Sequence, residues 1–243
     1  MDAFTFDDWI AERYELLWPE LFTPEAIEPA VDFLARVAQG GPALELGIGT
    51  GRLALPLART GIRVAGIDRS SAMTQQLRTQ PGGDSIDAAV GDFATTRVDG
   101  DFALVYLVRN TITNLTTQDE QVRCFANAAT HLRAGGSFVI ENYVPELQRL
   151  PPSVTRHVFT ATEDHVAFEE YDVAAQIAVS HHYWTVEGQL TRWSSTHRYA
   201  WPSELDLMAR LAGMRLVERW HDWRRTPFTS ESRQHVSLWQ KPS

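Results

Sequence analysis

The chain has 243 residues, 44% of them hydrophobic and 22% charged, which suffices for one full core and excludes a disordered tail or a fibre. Thirty-one acidic against twenty-two basic side chains give a formal charge of −9, a field that repels phosphate backbones and favours a small-molecule partner over nucleic acid. The single cysteine, Cys124, excludes a disulfide framework and a cysteine-rich metal site. No long apolar run occurs, and Asp2, Asp7, Asp8 and Glu12 do not have the order of a signal peptide, so a cytoplasmic protein without a membrane partner is expected.

In chain order, two helices are predicted first, Phe6 to Trp18 and Pro24 to Gln39; Thr23 stands at the N-cap of the second, Pro24 at N1, and Gly40-Gly41 at its stop. Short apolar runs then alternate with amphipathic segments: strand Ala43 to Leu46, helix Gly51 to Arg59, strand Ile62 to Ile67, helix Ser71 to Thr79 and strand Ile86 to Val90. Strand Phe102 to Val108, a helix from Thr117 to Leu132 and strand Ser137 to Glu141 follow, predicting five parallel strands with helices on both faces. Between Pro151 and Trp201, β-branched and aromatic residues alternate, with turn signals at Thr162-Glu163-Asp164 and Glu187-Gly188, which predicts an antiparallel insertion. Too short to be a core by itself, it is expected against the carboxyl edge of the sheet, where open α/β folds bind ligands. Helix Pro202 to Leu211, stopped at Gly213, and strands Met214 to Trp223 and Gln234 to Gln240 bring the sheet to seven strands.

The segment Glu45-Leu-Gly47-Ile-Gly49-Thr-Gly51-Arg52 sets three glycines between a strand and a helix. Glycines permit a tight turn and close approach of a ligand to the backbone, with helix N–H groups facing it. A dinucleotide fingerprint needs glycine where Arg52 stands, and the Walker lysine is absent. Asp68, about twenty residues further on at the end of the next strand, is placed to accept hydrogen bonds from ribose hydroxyls; a helix N-cap is the alternative. Asp92, in Gly91-Asp92-Phe93 after the third strand, is placed to accept from an exocyclic amine, with Phe93 beside a ring. Together these residues describe a ligand with adenine and ribose but no pyrophosphate.

Glu45-x-Gly47-x-Gly49-x-Gly51, Asp68 followed by Ser70-Ser71-Ala72-Met73, and Gly91-Asp92 resemble the successive motifs of class I S-adenosylmethionine-dependent methyltransferases. The likeness is close over residues 40–142, and the stretch from Arg198 to Leu238 fits the family's C-terminal half. It implies an α/β, Rossmann-like, doubly wound seven-stranded sheet with the antiparallel insertion and N-terminal lid helices. One domain is expected: lid helices over 1–39, cofactor-binding core over 40–150, substrate roof over 151–201 and the last helix and strand pair over 202–243. The resemblance further implies that Gly47, Gly49 and Gly51 cradle the methionine moiety and that Glu45 orients the loop or the methionine amine. Asp68 would hold the ribose, Met73 would pack on adenine, and Asp92 with Phe93 would fix the adenine amine and edge. Arg52, Arg69 and Gly91 belong to the same implied site, Leu107 or Val108 offers it a backbone carbonyl, and no metal is implied. Tyr14, in Ala11-Glu-Arg-Tyr14-Glu-Leu-Leu-Trp18, is similar to the family's lid tyrosine that reaches cofactor or acceptor; for Tyr14 and Met73 plain packing is the other reading.

For the acceptor, Tyr106-Leu-Val-Arg109-Asn110-Thr111 is not the Asn/Asp-Pro-Pro-aromatic box of nucleobase amine methyltransferases, nor are the end-of-strand aspartates of metal-dependent catechol O-methyltransferases present. A hairpin centred on Glu187-Gly188 puts His182 and Trp184 on one face with Trp193, Ser195, His197 and Tyr199. A slip of one residue would substitute His181, Tyr183, Arg192 and Ser194, and the pattern leaves open whether the face looks inward. Such a roof is similar to that of amino-sugar N,N-dimethyltransferases and related natural-product enzymes. The expected function is methyl transfer to a nitrogen or oxygen of a small molecule, with His182, Tyr14 or His197 taking or relaying the acceptor proton. Asn110, Tyr143, Trp184 and Trp193 are the expected acceptor contacts, with Glu141 beside them. A protein or peptide methyltransferase and a non-catalytic cofactor-binding protein are the alternatives, and eight tryptophans leave apolar surface for a homodimer contact.

Overall fold

The computed structural model describes residues 8–186 and 188–243. Phe6 and Asp7 of the first predicted helix and Glu187 of the predicted hairpin turn lie outside the described residues. Helices α1 (Asp8–Leu17) and α2 (Pro24–Ala38) precede strand β1 (Ala43–Leu46), α3 (Ala54–Arg59), β2 (Val64–Asp68), α4 (Ser71–Thr79), β3 (Asp87–Val90), β4 (Phe102–Leu107), α5 (Gln118–His131) and β5 (Leu132–Tyr143). Four strands follow, β6 (Arg156–Ala161), β7 (His165–Asp172), β8 (Ile177–Val186) and β9 (Gln189–Arg198), and then α6 (Pro202–Leu211), β10 (Arg215–Trp220) and β11 (Gln234–Gln240).

The main sheet has seven strands in the order β10-β11-β5-β4-β1-β2-β3. The strands from β1 to β5 pair in parallel, whereas β11 lies antiparallel between β5 and β10. The winding reverses between β1 and β4, the position where open α/β sheets form a crevice at their carboxyl ends. Every residue of β4 is buried, which explains its unbroken apolar run. Its side chains serve two cores: Val105 and Leu107 pack with Phe125, Phe138 and Trp239, while Leu104 and Tyr106 pack with Phe33, Leu34 and Leu57.

Helix ends are fixed by short-range chemistry. Thr117 and Glu120 form a reciprocal capping box on α5, and the Lys241 ammonium donates to the carbonyls of Ala129 and Leu132 at its other end. The Ser70 hydroxyl accepts from the Met73 amide and caps α4. Several boundaries differ from those predicted. Helix α3 begins at Ala54 because Gly51, at φ +83°, still belongs to the preceding turn. Thr23 occupies the N-cap of α2 without capping it, and Gln39 rather than a glycine takes the left-handed position at the C-cap. Strand β5 is longer than Ser137 to Glu141 at both ends: Leu132 pairs with Phe102 of β4, and β11 pairs along it from Ser137 as far as Tyr143. Strand β10 ends at Trp220 because the Asp222 carboxylate accepts the amides of Arg224 and Thr226 and turns the chain.

The second sheet runs β6-β7-β8-β9, all antiparallel. Its register pairs His182 with Trp193, Ser180 with Ser195 and Ala178 with His197, so His182, Trp184, Trp193, Ser195 and His197 share one face. His181, Tyr183, Arg192 and Ser194 lie on the other face, and Tyr199 follows the end of β9. A buried polar knot fastens this sheet to the core. Arg198 donates to Gln121 of α5 at 2.6 Å, to Glu204 of α6 at 2.7 Å and to Gln176 at 3.1 Å, while Gln121 returns a bond to the Arg198 carbonyl.

Candidate functional site

A cavity of about 1290 Å³ lies between the carboxyl ends of β1 to β4 and the inner face of the second sheet, with Tyr14 and Trp18 at its side. On the main-sheet side it is framed by the turn after β1. Gly47, Gly49 and Gly51 all have positive φ, at 75°, 55° and 83°. A Cβ on Gly47 would sit 2.6 Å from Thr111, whereas one on Gly49 would meet nothing and project into open space. That space is a backbone cradle. Asp68 sets its shape: Oδ2 accepts the Gly49 amide at 2.7 Å and Oδ1 the Ser70 amide at 2.9 Å. Ser70, not Asp68, is the helix cap, which leaves the Asp68 carboxylate facing the cavity between loop and helix.

Beneath the cradle, Glu45 is 3% exposed and its Oε2 accepts the Tyr106 hydroxyl at 2.9 Å. Burial pushes its carboxyl up to about 8, opposed by the Tyr106 bond and by Arg52. A cationic ligand group here would restore the carboxylate. At the far side of β2, Asp92 accepts the Ala94 amide through Oδ1 and pairs with Arg69 through Oδ2 at 2.6 Å, while Phe93 and Met73 add apolar wall. The cradle, the Asp68 carboxylate beside it, the apolar slot and the buried acid fit S-adenosylmethionine, the ligand that the motifs imply. Among the described residues no group of three or more His, Cys, Asp or Glu could hold a metal ion.

The opposite wall is the second sheet. The His182 ring stacks on Trp184 at 4.9 Å and on His165 at 5.1 Å, and its Nδ1 lies 2.9 Å from His165 Nε2. Trp18 closes on this stack edge-on, 5.5 Å from Trp184, 6.1 Å from Trp193 and 6.3 Å from His182. Burial, with the neighbouring histidines and Arg109, holds His182 at about 3, and burial holds His197 at about 4, so both imidazoles are neutral at physiological pH. The tautomer of His197 follows from its partners. The Thr113 hydroxyl donates to the Asn110 carbonyl at 2.7 Å, so it accepts from His197 Nδ1 at 3.3 Å, and His197 Nε2 accepts the Ser195 hydroxyl at 2.6 Å. Tyr14 faces the cavity with its phenol raised by burial, against the charges of Arg109 and Arg52.

The predicted residues divide accordingly. Tyr14, Glu45, Gly47, Gly49, Arg52, Asp68, Arg69, Met73, Asp92, Phe93, Asn110, Tyr143, His182, Trp193 and His197 line the cavity. Gly51 is turned under Leu55 and Leu77, Gly91 lies against Thr96, and Leu107 is core, its place on the wall taken by Val108. Trp184 is buried behind the wall among Trp18, Met73 and Trp193. Glu141 does not face the cleft either: its Oε2 accepts the Arg109 amide and its Oε1 the Trp223 indole N–H, bracing a loop in which Arg109 and Asn110 both take positive φ. Asn110 spends its side-chain carbonyl on the Tyr143 amide at 2.8 Å. Sequence reasoning missed Trp18, Tyr106, His165 and Glu169, whose only signals are residue type and, for the last two, strand alternation.

Comparison with known proteins bears on the whole arrangement. A family model described as a methyltransferase domain matches residues 43–136. The chain is similar to the CcbJ methyltransferase from Streptomyces caelestis, at 34% identity over all of both chains with a TM-score of 0.86. It is also similar to the cypemycin N-terminal methyltransferase of a Streptomyces species, at 27% identity over 99% of each chain. S-adenosylmethionine-bound CalS10, an amino pentose methyltransferase from Micromonospora echinaspora, shares the fold at 17% identity, with 99% of each chain covered and a TM-score of 0.70.

Proposed function

Since the chain belongs to the class I S-adenosylmethionine-dependent methyltransferases, we propose that it methylates the nitrogen of a small-molecule amine held beneath the four-stranded sheet. When bound, S-adenosylmethionine supplies a methyl carbon activated by positive sulfur, ready for in-line displacement by a nucleophile at near-attack distance. In this reading the glycine turn, Asp68 and Glu45 seat the cofactor, Met73 and Phe93 flank its ring, and Tyr14 with Trp18 closes the side of the cavity.

The observation that carries nitrogen over oxygen is the state of the two roof imidazoles. With their basicity held down, at about 3 for His182 and about 4 for His197, neither imidazole is a base strong enough to strip a phenol or alcohol. A neutral amine attacks with its own lone pair and gives up its proton afterwards, so it needs only orientation. Neutral His182 and His197 orient it by hydrogen bonding, and the enclosing aromatic rings exclude water. The acidic Glu20 and Glu169 on the wall and the overall charge of −9 draw amines, which are cationic in solution, towards the mouth. The names of the relatives support an amine-bearing acceptor: one is an N-terminal methyltransferase and one an amino pentose methyltransferase. The cypemycin relative, similar from end to end, favours a peptide N-terminus as the second reading.

Incubation with S-adenosylmethionine and a panel of primary amines, secondary amines, phenols and alcohols, with the methyl located by mass spectrometry, tests the proposal. Methylated amines are expected; turnover confined to the oxygen nucleophiles would overturn it.

A further inference from the structure

One row of the second sheet's inner face is polar where its neighbours are aromatic. His157 pairs with Glu169, Glu169 with Ser180 and Ser180 with Ser195, so the four cross the sheet in line, and all face the cavity. On one side of this row stand the rings of His165, His182 and Trp193, and on the other a tyrosine group formed by Tyr171, Tyr199 and Tyr143. Glu169 is the carboxylate at the boundary. Its Oε1 accepts the Ser180 hydroxyl at 3.2 Å and its Oε2 accepts the Tyr171 hydroxyl, which holds it in one orientation. Tyr143, at the end of β5, lines the same cavity, and burial, with Glu169 adding to it, holds its phenol neutral. Its hydroxyl is shielded from solvent and has no hydrogen-bond partner among the described residues. An unsatisfied buried hydroxyl is disfavoured, so such a group marks the place where a ligand atom or a water completes the structure.

We propose that Tyr143 and Glu169 form a second acceptor subsite that takes a hydroxyl group carried by the amine, Tyr143 donating to the hydroxyl oxygen and the hydroxyl donating to the Glu169 carboxylate. A hydroxyl joins a donor and lone pairs on one atom. An ammonium has no lone pair for the Tyr143 proton, and a ligand carboxylate is repelled by Glu169. With its hydroxyl fixed here, the acceptor is held at two points, which sets the direction of its nitrogen lone pair. The inference rests on the reading of the cavity as an amine site and narrows the substrate class to hydroxylated amines.

Calorimetric titration of the full-length protein, saturated with S-adenosylhomocysteine, tests it with cyclohexylamine and 2-, 3- and 4-aminocyclohexanol as probes, which carry the hydroxyl at successive distances from the nitrogen. At least one aminocyclohexanol is expected to bind roughly ten-fold tighter than cyclohexylamine. Tyr143→Phe and Glu169→Gln should each erase most of that advantage while the affinity for S-adenosylhomocysteine holds. Equal binding of the plain and hydroxylated amines by the unmodified protein overturns the subsite and leaves the amine reading standing. Binding of no amine at all, with S-adenosylhomocysteine bound, overturns the amine reading with it. An advantage that survives both variants means that water, not the acceptor, fills the place beside Tyr143.

Discussion

The turn wall and the roof of the cavity hold their groups by different means. On the turn wall, position is set by backbone: glycines at positive φ and a carboxylate that accepts two amides, all within the stretch from Glu45 to Ser70. On the roof, position is set by register and stacking: His182 stands where it does because β8 pairs with β7 and β9 and because Trp184, Trp193 and Trp18 surround its ring. The first arrangement suits a ligand that never changes. The second can be altered one side chain at a time on an unchanged frame, which suits an acceptor that differs from enzyme to enzyme.

The contrast is most severely tested where the roof is fastened. Arg198 is 5% exposed, and Glu204, though pushed up by burial, is held below the ordinary carboxylate range by bonds from Arg198, Gln118 and Gln176. Arg198→Ala leaves that acid without its cationic partner and the Gln121 side-chain oxygen without its donor, a loss of about 4 kcal/mol. For a chain of this size that lowers Tm by roughly 8 to 16 °C. If the two walls are independent, calorimetry on the folded variant finds S-adenosylmethionine affinity retained while amine binding is lost; joint loss would break the comparison.

Asp68→Ala is the mirror experiment. Removing two amide bonds to a charged acceptor, together with the proposed ribose contact, should weaken S-adenosylmethionine at least about 100-fold in calorimetry. The roof, which Asp68 does not touch, should leave the melting curve nearly unchanged in shape. Unchanged affinity would mean that the turn holds its form without the carboxylate.

Glu45→Gln separates stability from binding on the same wall. The folded-state pKa of about 8 lies above the ordinary 4.5, so the contribution of this group to stability is fully present below 4.5 and is lost as pH rises through 8. Gln does not titrate, so the variant without ligand should be more stable than the parent at alkaline pH. The gain is on the order of 2 kcal/mol after subtracting the weakened Tyr106 bond, and it vanishes in acid. Cofactor affinity should fall at the same time. Thermal melts from acid to alkaline pH, with and without S-adenosylmethionine, check both signs. Gly49→Ala is smaller: a left-handed alanine is disfavoured by about 1 kcal/mol, as it would be at Gly40, but only at Gly49 does the new methyl enter the cradle. Equal melting temperatures with a roughly ten-fold difference in cofactor affinity are expected from that pair.

The legibility of the sequence follows the same division. The alternation of strands and helices from Ala43 to Tyr143 and the turn residues could be read because each depends on neighbours a few positions away, and the Thr117 cap marked the start of α5 closely. The extension of β5 to Tyr143 could not, since its partner is β11, almost a hundred residues later. Tyr106 was read only as part of the fourth strand, where it is buried; its bond to Glu45 exists only because β1 and β4 pair side by side. Strand alternation chose the shared face of His182, Trp193 and His197, but not which face of the sheet looks inward. That depends on the Arg198 knot, which joins residues from α5, α6 and the loop before β8. The misplacing of Trp184 and Glu141 has the same origin: contacts from distant segments, Trp18 and Met73 for the first and the Arg109 amide and Trp223 indole for the second, hold each away from the wall.

The smallest effect concerns the histidines, and it decides how they act. Both fold with pKa values below the ordinary 6.5, at about 3 for His182 and about 4 for His197. Their contribution to stability is therefore complete above 6.5 and is lost as pH falls towards those values, because the unfolded chain takes up the protons first. Between about pH 5 and 8 neither imidazole changes charge, so neither should give the rate an inflection in a range where an unperturbed histidine would. The rate should instead rise with pH as the acceptor amine loses its own proton. His182→Gln and His197→Gln should lower kcat/KM by about ten-fold each through lost orientation while the shape of the pH profile stays the same. An inflection near 6.5 that disappears in either variant would show that histidine to be a titrating base, and the choice of nitrogen over oxygen would lose its ground.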